Sequence, residues 1–492
     1  MIPFAFTLLV DGEDGGAPPV QPEPAPLVAP AEAPAESERP HEPAEARAAA
    51  PAAAATAPRE PPPPPDFMRN KRRMTDADLE DKQERGYFTG LPLLNSDPDT
   101  GVGFGARVYY FHNGLREDPI FAYSPYRHRA YGQVYATTNG FQYHTLDYDA
   151  PYLGGLPIRL KATLAFERNN AAHYYGQGER SLARLRFPGS PSKYASASDY
   201  DDALRRIQPD GTAFTRYDHY ILTRPQAAVS LERDFFGGVV RGLVGVSVSY
   251  AQIQSWTGRT VDATGDTEAV QAPTRLDRDC AAGLLVGCAG GWNNTLKLGV
   301  VYDTRDFEPD PNSGMMLELT GELSGKYTAS DYDYARLTFA PRFFYSPFPK
   351  LADLVFAGRL VTSVQTTGVP FFAANQLSMT DVNRFGLGGL RTIRGFAQDR
   401  FVGRFATLLN LEVRWTFVEF NLTRKQHFGL MLVPFFDVGR VFDSISDFKL
   451  ERFRNGQGAG LRIAWNQATI VVIDYGVSRE DSSLYINFNH PF

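Results

Sequence analysis

The chain has 492 residues, room for about three domains at roughly 150 residues each, but its composition points to fewer. Lys and Arg total 50 against 56 Asp and Glu, a net charge of −6 that gives no reason to expect nucleic acid. No run of 18 apolar residues occurs, which excludes a helical membrane protein, and two cysteines make neither a disulfide scaffold nor a four-thiolate zinc site. The 35 Phe, 24 Tyr and 44 Gly suit a soluble β protein or a membrane barrel, whose inward half is polar.

Residues 1–16 begin with the apolar stretch MIPFAFTLLV, which lacks a basic start and runs into Asp11, Glu13 and Asp14. They read as a degenerate or truncated export signal. Residues 17–68 hold 16 of the 36 prolines, interleaved with Ala and Glu. Proline removes donors, and Ala and Glu offer little to bury, so this is a disordered tether. Residues 69–86 carry Arg69, Lys71, Arg72 and Arg73 and then Thr75 and Asp78 at capping-box spacing, predicting a short, solvated polar helix over 76–85.

From residue 87 onward the pattern is period two. In 408–417, Leu409, Leu411, Val413, Trp415 and Phe417 alternate with Asn410, Glu412, Arg414 and Thr416. In 471–478, Val471, Ile473, Tyr475 and Val477 alternate with Asp474 and Ser478. Alternation places one set on each face of a strand, and segments of about ten residues suffice to cross a bilayer. A soluble sandwich shows the same alternation. Aromatics at strand ends (Tyr109, Tyr110, Phe111; Phe343, Phe344, Tyr345; Phe417, Phe420) and short turns alternating with long loops favour the membrane. Strands are expected at 88–96, 102–111, 129–138, 141–149, 157–167, 216–232, 239–252, 293–303, 314–324, 332–346, 352–366, 405–418, 428–438, 457–466, 469–478 and 483–492. The expected fold is therefore all-β, a 16-stranded antiparallel transmembrane β-barrel over 87–492. An even count leaves both ends on one side, the periplasm, and puts the long connections 168–215, 253–292, 367–404 and 439–456 outside.

Few constellations suggest chemistry. Gly101-x-Gly103-x-Gly105 and Gly456-x-Gly458-x-Gly460 precede no helical pattern, so small inward residues explain them better than nucleotide binding. Asp199, Asp201 and Asp202 lack the spacing of a calcium loop. No catalytic site, metal site or cofactor is expected. Cys280 and Cys288 span nine residues, which in an oxidising compartment can close as a disulfide; free thiols are the alternative. Arg394, in a long external loop with Gly395 and Phe396, stands about forty residues before Asp437, with Glu412 between. A planar guanidinium suits two carboxylates; taken alone, such an arginine is most often a solvated loop residue.

Ile393-Arg394-Gly395-Phe396, Phe435-Phe436-Asp437-Val438-Gly439 and the strand NLEVRW at 410–415 resemble the bacterial surface antigen superfamily, which holds the Bam- and Tam-type assembly barrels and the two-partner secretion transporters. Asp303, Arg305, Asp306 and Gly314 are similar to that family's turn between its eighth and ninth strands, and Asp97 to Gly103 to its first hairpin. The terminal strand ending in Phe492 resembles the terminal signal of such barrels. The resemblance implies an outer-membrane barrel that inserts or translocates polypeptide and is not an enzyme, with Arg394 anchoring an infolded loop through Asp437 and Glu412. The implied partners are outer-membrane lipid and lipopolysaccharide, the machinery for its own insertion and a polypeptide cargo, with no nucleic acid. Residues 1–86 do not hold a POTRA domain, so the chain reads as a POTRA-less member. A seam between the first and last strands is weakened where Pro491 lacks a donor. A passive solute pore, narrowed by Arg180, Arg184, Arg186 and Lys193, and a surface adhesion or receptor module are the alternatives.

Overall fold

The computed structural model describes residues 65–492 except 70, 72, 75, 98–100, 191–193, 195, 266, 307–309, 349–352, 381–385, 424–425, 466–468 and 489. The export-signal and tether readings up to residue 64, the Thr75 cap, Pro98 to Thr100 of the first hairpin and Lys193 lie outside the described residues.

The alternating segments form one antiparallel sheet of eighteen strand segments. They are β1 Gly86–Asp97, β2 Gly101–His112, β3 His128–Thr137, β4 Gln142–Ala150, β5 Ile158–His173, β6 His219–Phe235, β7 Val240–Gln254, β8 Gly291–Trp292 and β9 Thr295–Asp303. They continue with β10 Gly314–Ser324, β11 Tyr334–Phe339, β12 Arg342–Tyr345, β13 Asp353–Gln365, β14 Phe405–Thr423, β15 Gln426–Phe442, β16 Arg454–Trp465, β17 Thr469–Ser478 and β18 Ser482–Phe488. Neighbours in sequence pair in space, as at β1–β2 and β17–β18. The single strand expected over 332–346 is divided at Ala340–Pro341, because proline has no N–H for the ladder, and β11 and β12 both lie between β10 and β13. Among the described residues no ladder joins β1 to β18.

The two faces of this sheet are inverted relative to a soluble protein. Outward positions such as Leu94, Val134, Leu146, Leu164, Val246, Val300, Leu484 and Ile486 are exposed, while Arg336, Glu322, Arg359, Glu412, Arg462 and Asp474 are buried. An exposed apolar band over a charged interior is stable when the outer solvent is hydrocarbon and the inner charges are paired. The expected aromatic belt is divided between the faces: Tyr110, Phe343, Tyr345, Phe417 and Phe420 are exposed, but Phe344 is buried against Val355 and Ala357. Tyr109 stacks on Phe111 beside inward Arg107, because residues of odd number on β2 face in.

Connections 174–218, 255–290 and 366–404 all leave the same rim. Two of them, expected only as long external connections, fold into a cap. Helices Ala197–Leu204 and Arg275–Ala281 start at Ser196 and Thr274, whose side chains accept from Asp199 N and Asp277 N. A three-stranded sheet (Thr212–Ala213, Thr260–Asp262, Glu268–Gln271) joins them, and Leu185, Tyr200, Leu204, Phe214, Tyr217 and Ala272 form their apolar core. Cys280 and Cys288 are joined by a disulfide. Ala197 N donates to Glu480 O at 2.8 Å, so the connection after β5 touches the turn before β18 and the sheet curls around.

The opposite rim carries shorter turns and 113–127. Here the end of the tether reading, residues 65–68, needs correction, and the short helix is exposed at Asp76 and Glu80. Asp66–Met68 is a 3-10 turn whose Met68 is fully buried beside Ile120 and Tyr152. The helix is shorter than expected, Asp76–Asp81. Lys82 Nζ then donates to Phe121 O (2.5 Å) and Ser124 O (2.6 Å), and burial pulls its pKa down to about 8.

Candidate functional site

The 366–404 connection runs inward. Its Phe371, Phe372, Leu387, Ile393, Phe396 and Phe401 are all buried. Thr392 Oγ1 donates to Gly388 O at 2.7 Å and accepts from Gly388 N at 2.8 Å, closing a tight turn that presents the next residues to the wall. Asn410 on β14 seats this turn by donating Nδ2 to Thr392 O at 2.6 Å.

Arg394 is 1% exposed. Its Nε and Nη2 donate to the two oxygens of Asp437 on β15 at 2.8 and 2.9 Å, a bidentate pair. Nη1 donates to Glu412 on β14 at 2.9 Å and to Asp474 on β17 at 2.7 Å. The Arg394 backbone N–H also donates to Asp437, at 3.1 Å. The guanidinium carbon lies 3.4 Å from the ring centre of Phe435, adding a cation–π contact. Arg462 on β16 donates to both oxygens of Glu412 at 2.9 and 2.6 Å, and Arg414 to one at 3.0 Å. Three arginines thus face three carboxylates in a dry interior. Each pair offsets a desolvation cost that would otherwise be several kcal/mol per ion, by rough estimate.

Glycines make room for this contact. A Cβ on Gly456 of β16 would stand 1.8 Å from Arg394 O, and one on Gly476 of β17 would stand 2.8 Å from Arg394 Cβ. Gly395 has φ +89°, and a Cβ there would meet Ser478 N at 2.7 Å. Gly395 N donates to the Tyr485 hydroxyl on β18 at 3.0 Å, and Ser478 Oγ donates to Gly395 O at 2.7 Å. The loop therefore touches the last strand as well as β14 to β17.

Of the residues named from sequence, Arg394, Gly395, Asp437 and Glu412 meet at one place, and Phe396 packs on Phe401 next to them with 5.0 Å between ring centres. Asp303, Arg305, Asp306 and Gly314 form a separate cluster on the opposite rim. Arg305 donates Nε and Nη2 to Asp303 at 2.9 and 2.8 Å, Asp306 accepts from Asn312 N and Ser313 N, and Gly314 has φ +101°.

The strand expected over 483–492 ends at Phe488, and Pro491 and Phe492 make no ladder. Instead Arg359 donates to Pro491 O at 3.3 Å and Arg414 to Phe492 O at 2.9 Å. His490 Nε2 lies 2.9 Å from Asp310, and the Phe492 ring packs on Phe344, Val355 and Ala357. These buried arginines take carbonyls that a continued strand would spend on a neighbour. Sequence reading missed Asp474, Arg462, Asn410 and Tyr485 as members of the site. The available signal was the register of these residues, each of which lies on the inward, polar face of its strand.

A family model described as Omp85 superfamily domain matches residues 143–489, and a domain of unknown function, DUF5982, matches residues 65–127. The outer membrane protein assembly factor BamA of Nitratidesulfovibrio vulgaris is 28% identical over 175 residues, 33% of this chain and 20% of that protein. The chain thus spans about a fifth of the curated relative it matches. Among solved structures, BamA from Haemophilus ducreyi lacking POTRA domains 1–3 matches with TM-score 0.47 at 12% identity, over 83% of this chain and 70% of that one. CdiB from Escherichia coli matches with TM-score 0.46 at 10% identity, over 82% and 61%.

Proposed function

The chain belongs to the Omp85 superfamily, and on that premise we propose that it is an outer-membrane barrel that inserts polypeptides into that membrane or moves them across it. In this reading β8 with β9, and β11 with β12, each make one position, so eighteen segments give sixteen positions. The start of β1 and the end of β18 then share the rim of short turns, which faces the periplasm, and the cap faces outside. The gap between β1 and β18 is the wall's weakest junction and admits a strand or chain.

The observation that carries the reading is the buried contact of Arg394 with Asp437, Glu412 and Asp474. It latches the infolded connection to three wall strands, β14, β15 and β17, and through the Gly395–Tyr485 bond to β18, and so ties loop position to the junction. An inward segment with this many buried apolar residues favours a normally closed barrel over a passive solute pore.

Planar-bilayer recording of the purified chain tests the latch. Wild type should stay mostly closed, and Arg394→Ala should open it. The Arg394→Ala and Asp437→Ala effects should be strongly non-additive in a double-mutant cycle. A steady open pore in wild type, unchanged by Arg394→Ala, sinks the reading. A crosslinker placed at exposed Phe88 on β1 should capture polypeptide in membranes.

A further inference from the structure

The cap holds a second concentration of charge that the latch does not use. A cavity of about 260 Å³ is lined by Arg180, Arg184, Arg186, Arg275, Arg400 and Asp279. Asp279, Asp218 and Glu480 pair with three of these five guanidinia, leaving two, Arg184 and Arg186, whose positive field a concave site focuses.

The partners of these arginines divide them into frame and mouth. Arg400 is buried and fully engaged: it pairs with Glu480 at 2.8 Å and donates to the Ser181 and Ala183 carbonyls. Arg275 pairs with Asp218 at 2.5 Å and donates to Arg186 O at 2.8 Å. Asp218 also accepts from the Tyr200 hydroxyl, at 2.5 Å. These bonds hold the backbone of 181–186 in place from two sides. Arg180 meets Asp279 at 3.2 Å. Arg184 and Arg186 are exposed and, among the described residues, pair with no carboxylate. Just below, Arg454 donates to Leu182 O at 2.6 Å and likewise has no carboxylate partner among the described residues.

We propose that this cavity is a binding site for a phosphate-class oxyanion, gripped by Arg184 and Arg186 over a floor formed by Arg275 and Arg400. A guanidinium fork matches two phosphate oxygens at once, and a doubly charged anion neutralises two cations that no carboxylate among the described residues pairs with. The volume, just under the usual range for drug-sized ligands, suits one phosphate group with part of the sugar that bears it. Two sources share this chemistry, free phosphate and the phosphorylated sugars of outer-leaflet glycolipid. The site is distinct from the Arg394 latch and stands whether or not the barrel handles polypeptide.

Titration calorimetry of the full-length chain in detergent with inorganic phosphate is the test. Wild type should bind saturably at low salt, and the affinity should fall about tenfold or more in Arg184→Gln/Arg186→Gln. Ala183→Glu, which adds a carboxylate at the exposed edge and removes no bond, should do the same. Heat-modifiable migration on a gel, unchanged in both variants, shows that the barrel is intact. If wild type shows no saturable binding below ~10 mM, or the variants bind as wild type does, the proposal is overturned. Displacement of bound phosphate by lipopolysaccharide micelles identifies the glycolipid as the source; phosphate held against them identifies the free anion. Both results support the site.

Discussion

The inner wall of β1 to β5 and that of β14 to β17 use the same residue types in different ways. In β1 to β5 the charges pair along the wall itself. Arg129 meets Asp147 at 3.0 Å with side chains 28% and 16% exposed, and Arg159 meets Asp149 at 2.6 Å. In β14 to β17 the wall charges converge on a residue of the infolded loop, and Arg394, Glu412, Asp437 and Asp474 are at most 1% exposed. The difference is the loop. Where backbone covers the wall, water leaves, and each charge depends on its partner; where it does not, water shares the work. Pairs of similar length therefore carry different energetic weight in the two halves.

The largest effect that tests this contrast is Glu412→Ala, which leaves Arg394, Arg414 and Arg462 against two carboxylates. The loss should be about 3–5 kcal/mol in urea unfolding of the lipid-reconstituted chain, whereas Asp147→Ala should cost within about 1 kcal/mol. Equal losses would break the comparison. A steric version follows at smaller scale. Gly456→Ala sets a methyl against the Arg394 carbonyl and should cost about 1–3 kcal/mol and expose the loop to protease. Gly90→Ala on β1, where a Cβ has its nearest neighbour at 3.8 Å, should change stability by no more than about 0.5 kcal/mol.

A local effect sharpens the contrast from the first half's side, where the 65–85 segment covers the rim. Lys82→Met removes the donor to Phe121 O and Ser124 O and should cost about 1–3 kcal/mol of local docking, read as faster tryptic cleavage at Arg69 and Arg73. The pH dependence has a definite sign. Lys82 gives up its proton near pH 8 when docked but only near 10.5 when free. The undocked state thus binds more protons between those values, and protection should rise across that window. Lys82→Met should abolish the rise.

Much of the wall was legible in the sequence. Strands of this kind need period two, and β10 and β17 begin and end at the expected residues, 314–324 and 469–478. The latch was partly legible, because Arg394, Asp437 and Glu412 lie in short motifs with a family resemblance. Asp474 and Arg462 were not: each is one inward polar residue among others along the wall, 80 and 68 positions from Arg394, and only the curl of the sheet makes them neighbours. The fate of the last residues was equally hidden. Alternation through Phe488, His490 and Phe492 reads as strand, yet Arg359 and Arg414 draw the carbonyls of 491 and 492 inward.

Local alternation of apolar and polar side chains by itself determined that this chain makes strands with one oily and one wet face, because that pattern is a property of neighbouring residues. Tertiary structure alone decided which wet-facing charges are dry, which arginine meets three carboxylates, and which arginines in the cap are left without one. Those outcomes depend on distances across the interior, and Coulomb energies and desolvation act through space rather than along the chain.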